Sequence, residues 1–432
     1  MALTINIISL GCSKNTVDSE FIAGGLANKG YDVGFDLNKK YIDITIINTC
    51  GFIHDAKQES INTILLQCAL KKSNKVGRVI VCGCLSQRYE KELQEELPLV
   101  DAFFGVGQYD SLLAYLEREN EEQLYNKTRL LSTPKHYAYL KIAEGCNRNC
   151  SYCAIPIIRG KNISRRIEDI IEEANKLVEE GVKEIILVAQ DTTYYGVDLY
   201  GKRRLYDLLK ELVKIDKLKW IRIQYAYPQA FPLEVLDLMQ KEEKICKYID
   251  IPLQHISNSV LDSMKRHITS TETENLIKQI REKVAQISIR TTFIVGYPNE
   301  TKEDFSLLKE FVKKSRFERM GCFTYSPEEG TKAFLLEDNV SEEEKQERMD
   351  ELLDIQQEIS LELNQEKIGK VFEVIIDRKD LDFFVGRTQY DSPEVDNEVL
   401  ISDKYSLEVG EFYNIKIVDA VEFDLIGEVI YE

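Results

Sequence analysis

Three cysteines fall within eight residues in the segment GCNRNCSYCAIP, Gly145 to Pro156. Cys146, Cys150 and Cys153 are soft thiolate donors, suited to iron–sulfur clusters, zinc or copper(I). Structural zinc takes four ligands, usually from paired C-x-x-C knuckles. The nearest histidine, His136, lies before the preceding strand. Three thiolates without a fourth point instead to a cubane cluster with three irons held by cysteine and one coordination position open. An open position is what metal catalysis requires.

A second set is dispersed. Cys12 follows INIISLG, Cys50 follows ITIINT and Cys84 follows VIVCG, so each closes a different predicted strand. In an open parallel sheet those ends face the crevice where ligands bind. Three cysteines delivered to one rim read as a second metal site rather than as small buried hydrophobes. Cys82 and Cys84 share strand parity; Cys82 belongs to the apolar run and is assigned to the core, and Cys84, beyond Gly83, is the expected ligand. Cys68, Cys246 and Cys322 have no clustered partner in sequence and read as core.

These side chains need elements to hold them. From Thr4 to about Leu116, INIISL, YIDITIIN and RVIVCG read as buried strands. DSEFIAGGLANKG and DAKQESINTILLQCALKK follow the first two with helical spacing. Residues 1–130 are therefore expected to form an open parallel α/β sheet domain. The charge-rich stretch Glu117 to Arg129 reads as a linker or as the solvated end of the last helix. From His136 the alternation resumes, with YAYLKIA, EIILVAQ, WIRIQYA, YIDIPLQ, IRTTFIVG and MGCFTYS as candidate strands. Six βα units suggest a partial TIM-like (βα)6 barrel over 136–365, with its chemistry at the carboxyl ends of the strands. Ser341 and Glu344 open a long predicted helix in capping-box spacing, with Met349, Leu352, Leu353, Ile359 and Leu363 roughly on one face. Residues 367–432 change to alternating short strands, VFEVIID, FFVGRTQY, EVLI and FYNIKIVDAV, as in a small β-barrel of the kind that binds macromolecules.

Composition narrows the class. Of 432 residues, 44% are hydrophobic and 30% charged, the balance of a globular protein. Ten cysteines, with neither a basic leader nor an apolar span, suggest a cytoplasmic chain that uses thiols for metal rather than for disulfides. The net charge of −18 lacks the basic footprint of nucleic-acid binding; it is the balance of many soluble chains and would also suit a basic partner. From Lys367 to Glu432 there are 7 basic and 16 acidic residues, a net of −9. Such a domain repels phosphates and attracts a basic protein.

The C-x-x-x-C-x-x-C spacing resembles that of the radical S-adenosylmethionine enzymes, and Tyr152 matches their aromatic residue before the last cysteine. The resemblance implies that the open iron is chelated by S-adenosylmethionine, which one electron then splits to a 5′-deoxyadenosyl radical. SLGCSKNTVDSE, NTCGFI and GCLSQRY, then IPIIRGKNISR, PLQHISNSVLDSMKR and FIVGYPNET, resemble motifs of the methylthiotransferases over nearly the whole chain. That family implies a TRAM-like C-terminal barrel and two 4Fe–4S clusters, an auxiliary one on Cys12, Cys50 and Cys84 and a radical-generating one on Cys146, Cys150 and Cys153. It also implies two roles for S-adenosylmethionine, as methyl donor and as radical source. Tyr297 and Asn299 stand where the family tends to have Phe and Gly. Arg165 is a candidate cofactor contact through the motif it closes. Gln190 and Arg222, which end or line barrel strands, are candidate contacts to cofactor or substrate; Gln254 and His255 are comparable.

Two branches of the family differ in substrate. One modifies adenosine in transfer RNA (MiaB-like); the other modifies an aspartate of the twelfth protein of the small ribosomal subunit (RimO-like). LVAQDTTYYG, with Gln190 and Asp191, and GRTQYDSPEVDNEV look like the second branch. Asn397 stands where that branch usually has Gly, and Asn tolerates left-handed backbone. The C-terminal charge agrees. The implied reaction places a methylthio group on the aspartate β-carbon of that basic protein, free or assembled. Electrons would come from a donor such as a flavodoxin or ferredoxin, with no membrane and no nucleic acid as direct substrate. Both cysteine sets must then face one cavity, so the N-terminal strand ends are expected to cap the barrel mouth.

Overall fold

The computed structural model describes residues 2–116 and 128–430. Residues 117–127 of the expected linker lie outside them. Arg129, at its end, is no solvated linker residue: it is buried, in ion pairs with Glu20 and Glu173.

The N-terminal sheet has five parallel strands: β1 (Thr4–Ser9), β2 (Asp32–Phe35), β3 (Ile42–Thr49), β4 (Val76–Gly83) and β5 (Ala102–Phe104), in the order β2-β1-β3-β4-β5. The β-branched runs occupy the centre, where both faces are covered; Ile5, Ile7, Ile44, Ile46 and Ile80 are buried in one cluster. β2 and β5, of 4 and 3 residues, are too short to carry an alternation signal. Helices α1 (Ser13–Asn28), α2 (His54–Lys72), α3 (Cys84–Glu96) and α4 (Tyr109–Leu116) complete this part.

The second sheet begins with β6 (Tyr137–Lys141). A two-stranded ribbon, β7 (Ala143–Glu144) with β8 (Ile163–Ser164), brackets the next loop and the short helix α5 (Ile155–Arg159). Then come β9 (Glu184–Val188), β10 (Trp220–Ile223), β11 (Ile245–Asp250), β12 (Ser288–Val295) and β13 (Arg319–Thr324). The order β13-β12-β11-β10-β9-β6 is parallel throughout, and these are the six expected strands. The long helix Glu342–Gln365 starts at Ser341, whose Oγ accepts from the Glu344 amide at 3.2 Å. Only half of the capping box forms, because the Glu344 carboxylate turns to Arg348. Leu353 of its expected apolar face is exposed; Gln356, Ser360 and Asn364 are buried instead. Among the described residues no helix is long and apolar enough to cross a membrane.

Five strands, β14 (Val371–Asp380), β15 (Phe383–Thr388), β16 (Glu398–Ser402), β17 (Phe412–Ala420) and β18 (Asp424–Val429), close the C-terminal barrel. β18, absent from the sequence expectation, pairs parallel with β16 and shuts the gap. The β15–β16 connection does not lie on the surface as a loop. It enters the partial barrel on the side opposite Ile221 and Ile223, which pack under the helices. Arg222 Nη1 donates to the Gln389 carbonyl at 2.8 Å, Gln224 to Ser392 Oγ at 2.6 Å, and Tyr248 to Asp396 at 2.8 Å. Arg290 pairs with Asp396 at 2.6 Å and Arg319 with Asp391. The left-handed residue of this connection is Glu394, φ 69°, not Asn397; Asn299, by contrast, does take the left-handed form, φ 66°.

Beneath this connection Glu184, fully buried, pairs with Arg222 at 2.7 Å and with Arg387 of β15 at 2.5 Å. Removing one partner of a buried ion pair leaves the other uncompensated, at about 3–5 kcal/mol. Glu184→Leu is therefore expected to lower stability by about that amount, read as a fall in the urea midpoint. A midpoint equal to the wild type would overturn the role given to this carboxylate.

Candidate active site

Cys12, Cys50 and Cys84 end the adjacent central strands β1, β3 and β4, and each stands beside a glycine. Two of those glycines let the backbones close on one another. A Cβ at Gly11, φ 88°, would lie 2.7 Å from Cys50 Cβ, and one at Gly51 would lie 2.8 Å from the Cys84 carbonyl. Cys12 caps α1 and Cys84 opens α3, so two helix amino ends point at the group, a setting that favours thiolate. The Cys50 amide donates to Ser60 Oγ at 3.0 Å, which returns a hydrogen bond to the Cys50 carbonyl.

The three thiols differ in charge preference. Burial, with the neighbouring Cys12 and Cys84, pushes Cys50 up to about 12, and burial also raises Cys84. Burial opposes ionisation of Cys12 too, but Lys14 and Arg159 outweigh it and the thiol titrates below its usual range. Asn15 links the group: its Nδ2 donates to the Leu10 and Thr49 carbonyls, and its Oδ1 lies 3.8 Å from Cys84 Sγ and accepts from Arg159. Cys82 is fully buried in the sheet core, away from this rim.

The second set lies in the loop after β7. The Cys146 amide donates to the Gly160 carbonyl at 3.0 Å and that of Cys153 to Cys150 at 3.2 Å. Burial raises Cys146 to about 11 and Cys153 to about 12. Cys150 Sγ lies 3.6 Å from Arg266 Nη1 and 3.7 Å from the Tyr227 hydroxyl. Arg148 and Arg266 flank the Tyr227 ring at 4.0 and 4.3 Å, and Arg148 pairs with Asp191 at 2.8 Å. Sequence reading did not single out Arg148, Tyr227 or Arg266. Arg148 stands between two of the cysteines, which was the available signal.

The two sets meet across α5. Cys84 packs in one apolar cluster with Ala154, next to Cys153, and with Ile158. Arg159, at the end of α5, reaches Asn15, Asp18 and Glu144. Further ion pairs seal the contact: Lys57 and Arg88 on Glu328, and Lys141 on Asp18 and Glu144. The N-terminal strand ends thus sit over the carboxyl ends of the barrel strands.

The chain can now be set beside known proteins. The Radical SAM superfamily profile matches residues 140–312, the Uncharacterized protein family UPF0004 profile residues 4–105 and the TRAM domain profile residues 368–430. A solved radical S-adenosylmethionine methyltransferase, TsrM from Kitasatospora setae, shares the fold at 12% identity, with a TM-score of 0.54 over 89% of this chain and 81% of that one. "Ribosomal protein uS12 methylthiotransferase RimO" of Flavobacterium psychrophilum is 54% identical over 98% of this chain and 97% of its own length. The protein of the same name from Phocaeicola vulgatus is 53% identical over 99% of both. The chain belongs to the RimO methylthiotransferase family.

Within this RimO-family chain the other sequence candidates scatter. Gln190 Nε2 donates to Glu144 at 2.7 Å, while its Oε1 is buried without a partner. Gln254 Oε1 and Arg148 Nη2 are likewise buried and unpartnered. Orphaned polar atoms at strand ends mark room for a polar ligand. The Tyr152 hydroxyl lies 3.4 Å from Arg266, its ring against Val260, Met264 and Tyr297. Arg165 is tied to Glu173 at 2.6 Å and to the Lys141 carbonyl at 2.8 Å. Arg222 faces Glu184 and the C-terminal connection instead. His255 is fully buried, its Nδ1 accepting from the Ser257 amide.

Among the described residues no three His, Cys, Asp or Glu side chains are gathered to hold one metal ion. A single zinc draws thiolates to about 2.3 Å each. A cubane spreads its cysteines over separate irons, which suits two soft three-thiol sets with no fourth ligand. After anaerobic reconstitution, Cys84→Ser is expected to lose about half the iron of the wild type. Cys82→Ser should keep the iron and lose about 1–3 kcal/mol of stability for its buried hydroxyl. Iron analysis beside thermal unfolding checks both, and the reverse pattern would make Cys82 the ligand.

Proposed function

We propose that this chain transfers a methylthio group to the β-carbon of an aspartate in ribosomal protein uS12. In this reading Cys146, Cys150 and Cys153 hold the radical-generating 4Fe–4S cluster, and Cys12, Cys50 and Cys84 hold an auxiliary one. The observation that carries it is the meeting of two three-cysteine sets across α5 in a chain about half identical, end to end, to relatives named for that activity. Bound S-adenosylmethionine supplies the methyl group and, by one-electron cleavage, the radical needed to take hydrogen from an unactivated carbon.

The chain's own residues prepare the site. Arg148 and Arg266, stacked on Tyr227, set two positive charges beside Cys146 and Cys150, offsetting the negative charge of thiolate-bound iron. Gln190 and Gln254 present unpartnered carbonyl oxygens to the polar part of the cofactor. Glu328, held by Lys57 and Arg88, ties the N-terminal domain over the barrel mouth. Exposed acids of the C-terminal barrel, such as Asp382, Asp403, Glu408 and Asp419, favour a basic protein over RNA. A cytoplasmic flavodoxin or ferredoxin is the fitting class of electron donor.

Reduction adds negative charge to a cluster, so removing a neighbouring cation disfavours it. Arg266→Gln is expected to lower the reduction potential by on the order of 50 mV, about a tenfold change in a one-electron equilibrium. Potentiometric titration followed by electron paramagnetic resonance checks this. The function itself is tested by anaerobic reaction with S-adenosylmethionine, sulfide and reductant, with small ribosomal subunits and transfer RNA competing in one tube. Mass spectrometry is expected to find the methylthio mass on an aspartate of uS12; the same mass on adenosine would overturn the substrate assignment and leave the two-cluster chemistry standing.

A further inference from the structure

Two lysines are buried among the described residues, and they are treated differently. Lys345 has Asp338 at 2.7 Å and Glu342 at 2.6 Å. Lys14 has no such carboxylate; its Nζ rests 3.3 Å above the centre of the Tyr225 ring. A buried ammonium without an anion is costly, and a ring face returns only part of that cost. Asp250, a buried acid that feels the Lys14 charge, is turned elsewhere: its Oδ2 accepts from the Tyr225 amide at 3.0 Å and its Oδ1 faces Arg290 at 3.9 Å.

The position of Lys14 is as telling as its isolation. It is two residues from Cys12. It stands over Tyr225, and two residues further on Tyr227 has its hydroxyl 3.7 Å from Cys150 Sγ. The ammonium therefore lies beside the first cysteine set, over a residue two positions from one that reaches the second. Tyr225 holds φ 58°, a left-handed form that non-glycine residues adopt at a cost. That form is pinned on three sides. Asp250 accepts from the amide, the Thr192 amide and hydroxyl donate to the carbonyl at 3.1 and 3.2 Å, and Ser13 Oγ is 3.5 Å from the phenol. A strained residue held so firmly under a cation that has no carboxylate partner is a preformed seat for an anion.

We propose that Lys14 binds the side-chain carboxylate of the target aspartate. This rests on the reading above and deepens it. In aspartate the β-carbon is bonded directly to the carboxylate carbon, so gripping the carboxylate fixes the atom that must lose hydrogen and gain sulfur. A charge-assisted contact in a buried site also separates aspartate from asparagine, because the neutral amide leaves the ammonium unpaired. The residue thus sets both position and specificity.

The test compares binding of uS12 and of its variant carrying asparagine at the modified position, using the reconstituted holoenzyme with S-adenosylmethionine and no reductant. Wild type is expected to hold the aspartate form tighter by on the order of 100-fold. Lys14→Met should abolish that preference with the iron content retained, and Lys14→Arg should restore part of it. A Lys14→Met enzyme that still prefers aspartate overturns the proposal, as does one that loses the iron of one cluster, since the charge would then serve the thiolates. Failure of the function itself looks different: wild type would then place no methylthio group on uS12 at all.

Discussion

The Arg159 guanidinium and Asn15 are 144 residues apart in sequence and bonded in the fold. The seating of the N-terminal rim on α5 depends on that contact and the few around it. Arg159 ends α5, the turn that leaves the Cys153 loop, and Asn15 lies in the first turn of α1, just after Cys12. Between them they fix one cysteine set against the other. The charges assembled here, Asp18, Lys141, Glu144 and Arg159, are mostly buried and compensate one another. The Glu144 carboxyl, despite its burial, is held far below the usual range by Lys141 and Arg159. Such a network tolerates little displacement, because a shifted partner leaves a charge in low dielectric. Rigidity at this seam is what a reaction between groups on two domains requires.

A second seam joins the C-terminal barrel to the α/β barrel. Three of its acids, Asp377, Asp391 and Asp396, face Arg387, Arg319 and Arg290 internally. The net charge counted from sequence therefore overstates what a partner meets. The acids that remain exposed still give the surface a negative field, so the direction of the argument stands on fewer residues.

Legibility followed the kind of signal each feature leaves. Six strands of the central sheet and the three central strands of the first were readable because both faces are buried and the apolar runs are long. β2 and β5 were not, being edge strands of 4 and 3 residues, and β18, DLIGEV, has its short apolar run broken by Gly427. Number and spacing singled out the cysteines, and geometry separates the placement of Cys82 from that of Cys84: Gly83, φ 96°, ends the strand and turns the next residue onto the helix. Arg148, Tyr227 and Arg266 come from three separate segments, and no local pattern announces that they will stack. Arg222 was visible as a polar residue on an inner strand, but which end of the barrel it serves depends on a connection about 167 residues further along the chain.

The β15–β16 connection also bears on how separable this chain is. A domain joined by a surface linker can be removed and the remainder kept. Here the connection supplies the partners of Arg222, Gln224, Tyr248, Arg290 and Arg319. The α/β barrel has, in effect, borrowed its floor from the sequence that follows it. Synthesis from the amino end then leaves the barrel unfinished until the last segment emerges. A shortened chain would strip Asp396 from Arg290 and Asp391 from Arg319, and any loss of activity in it would report a broken interior before it reported a lost recognition surface.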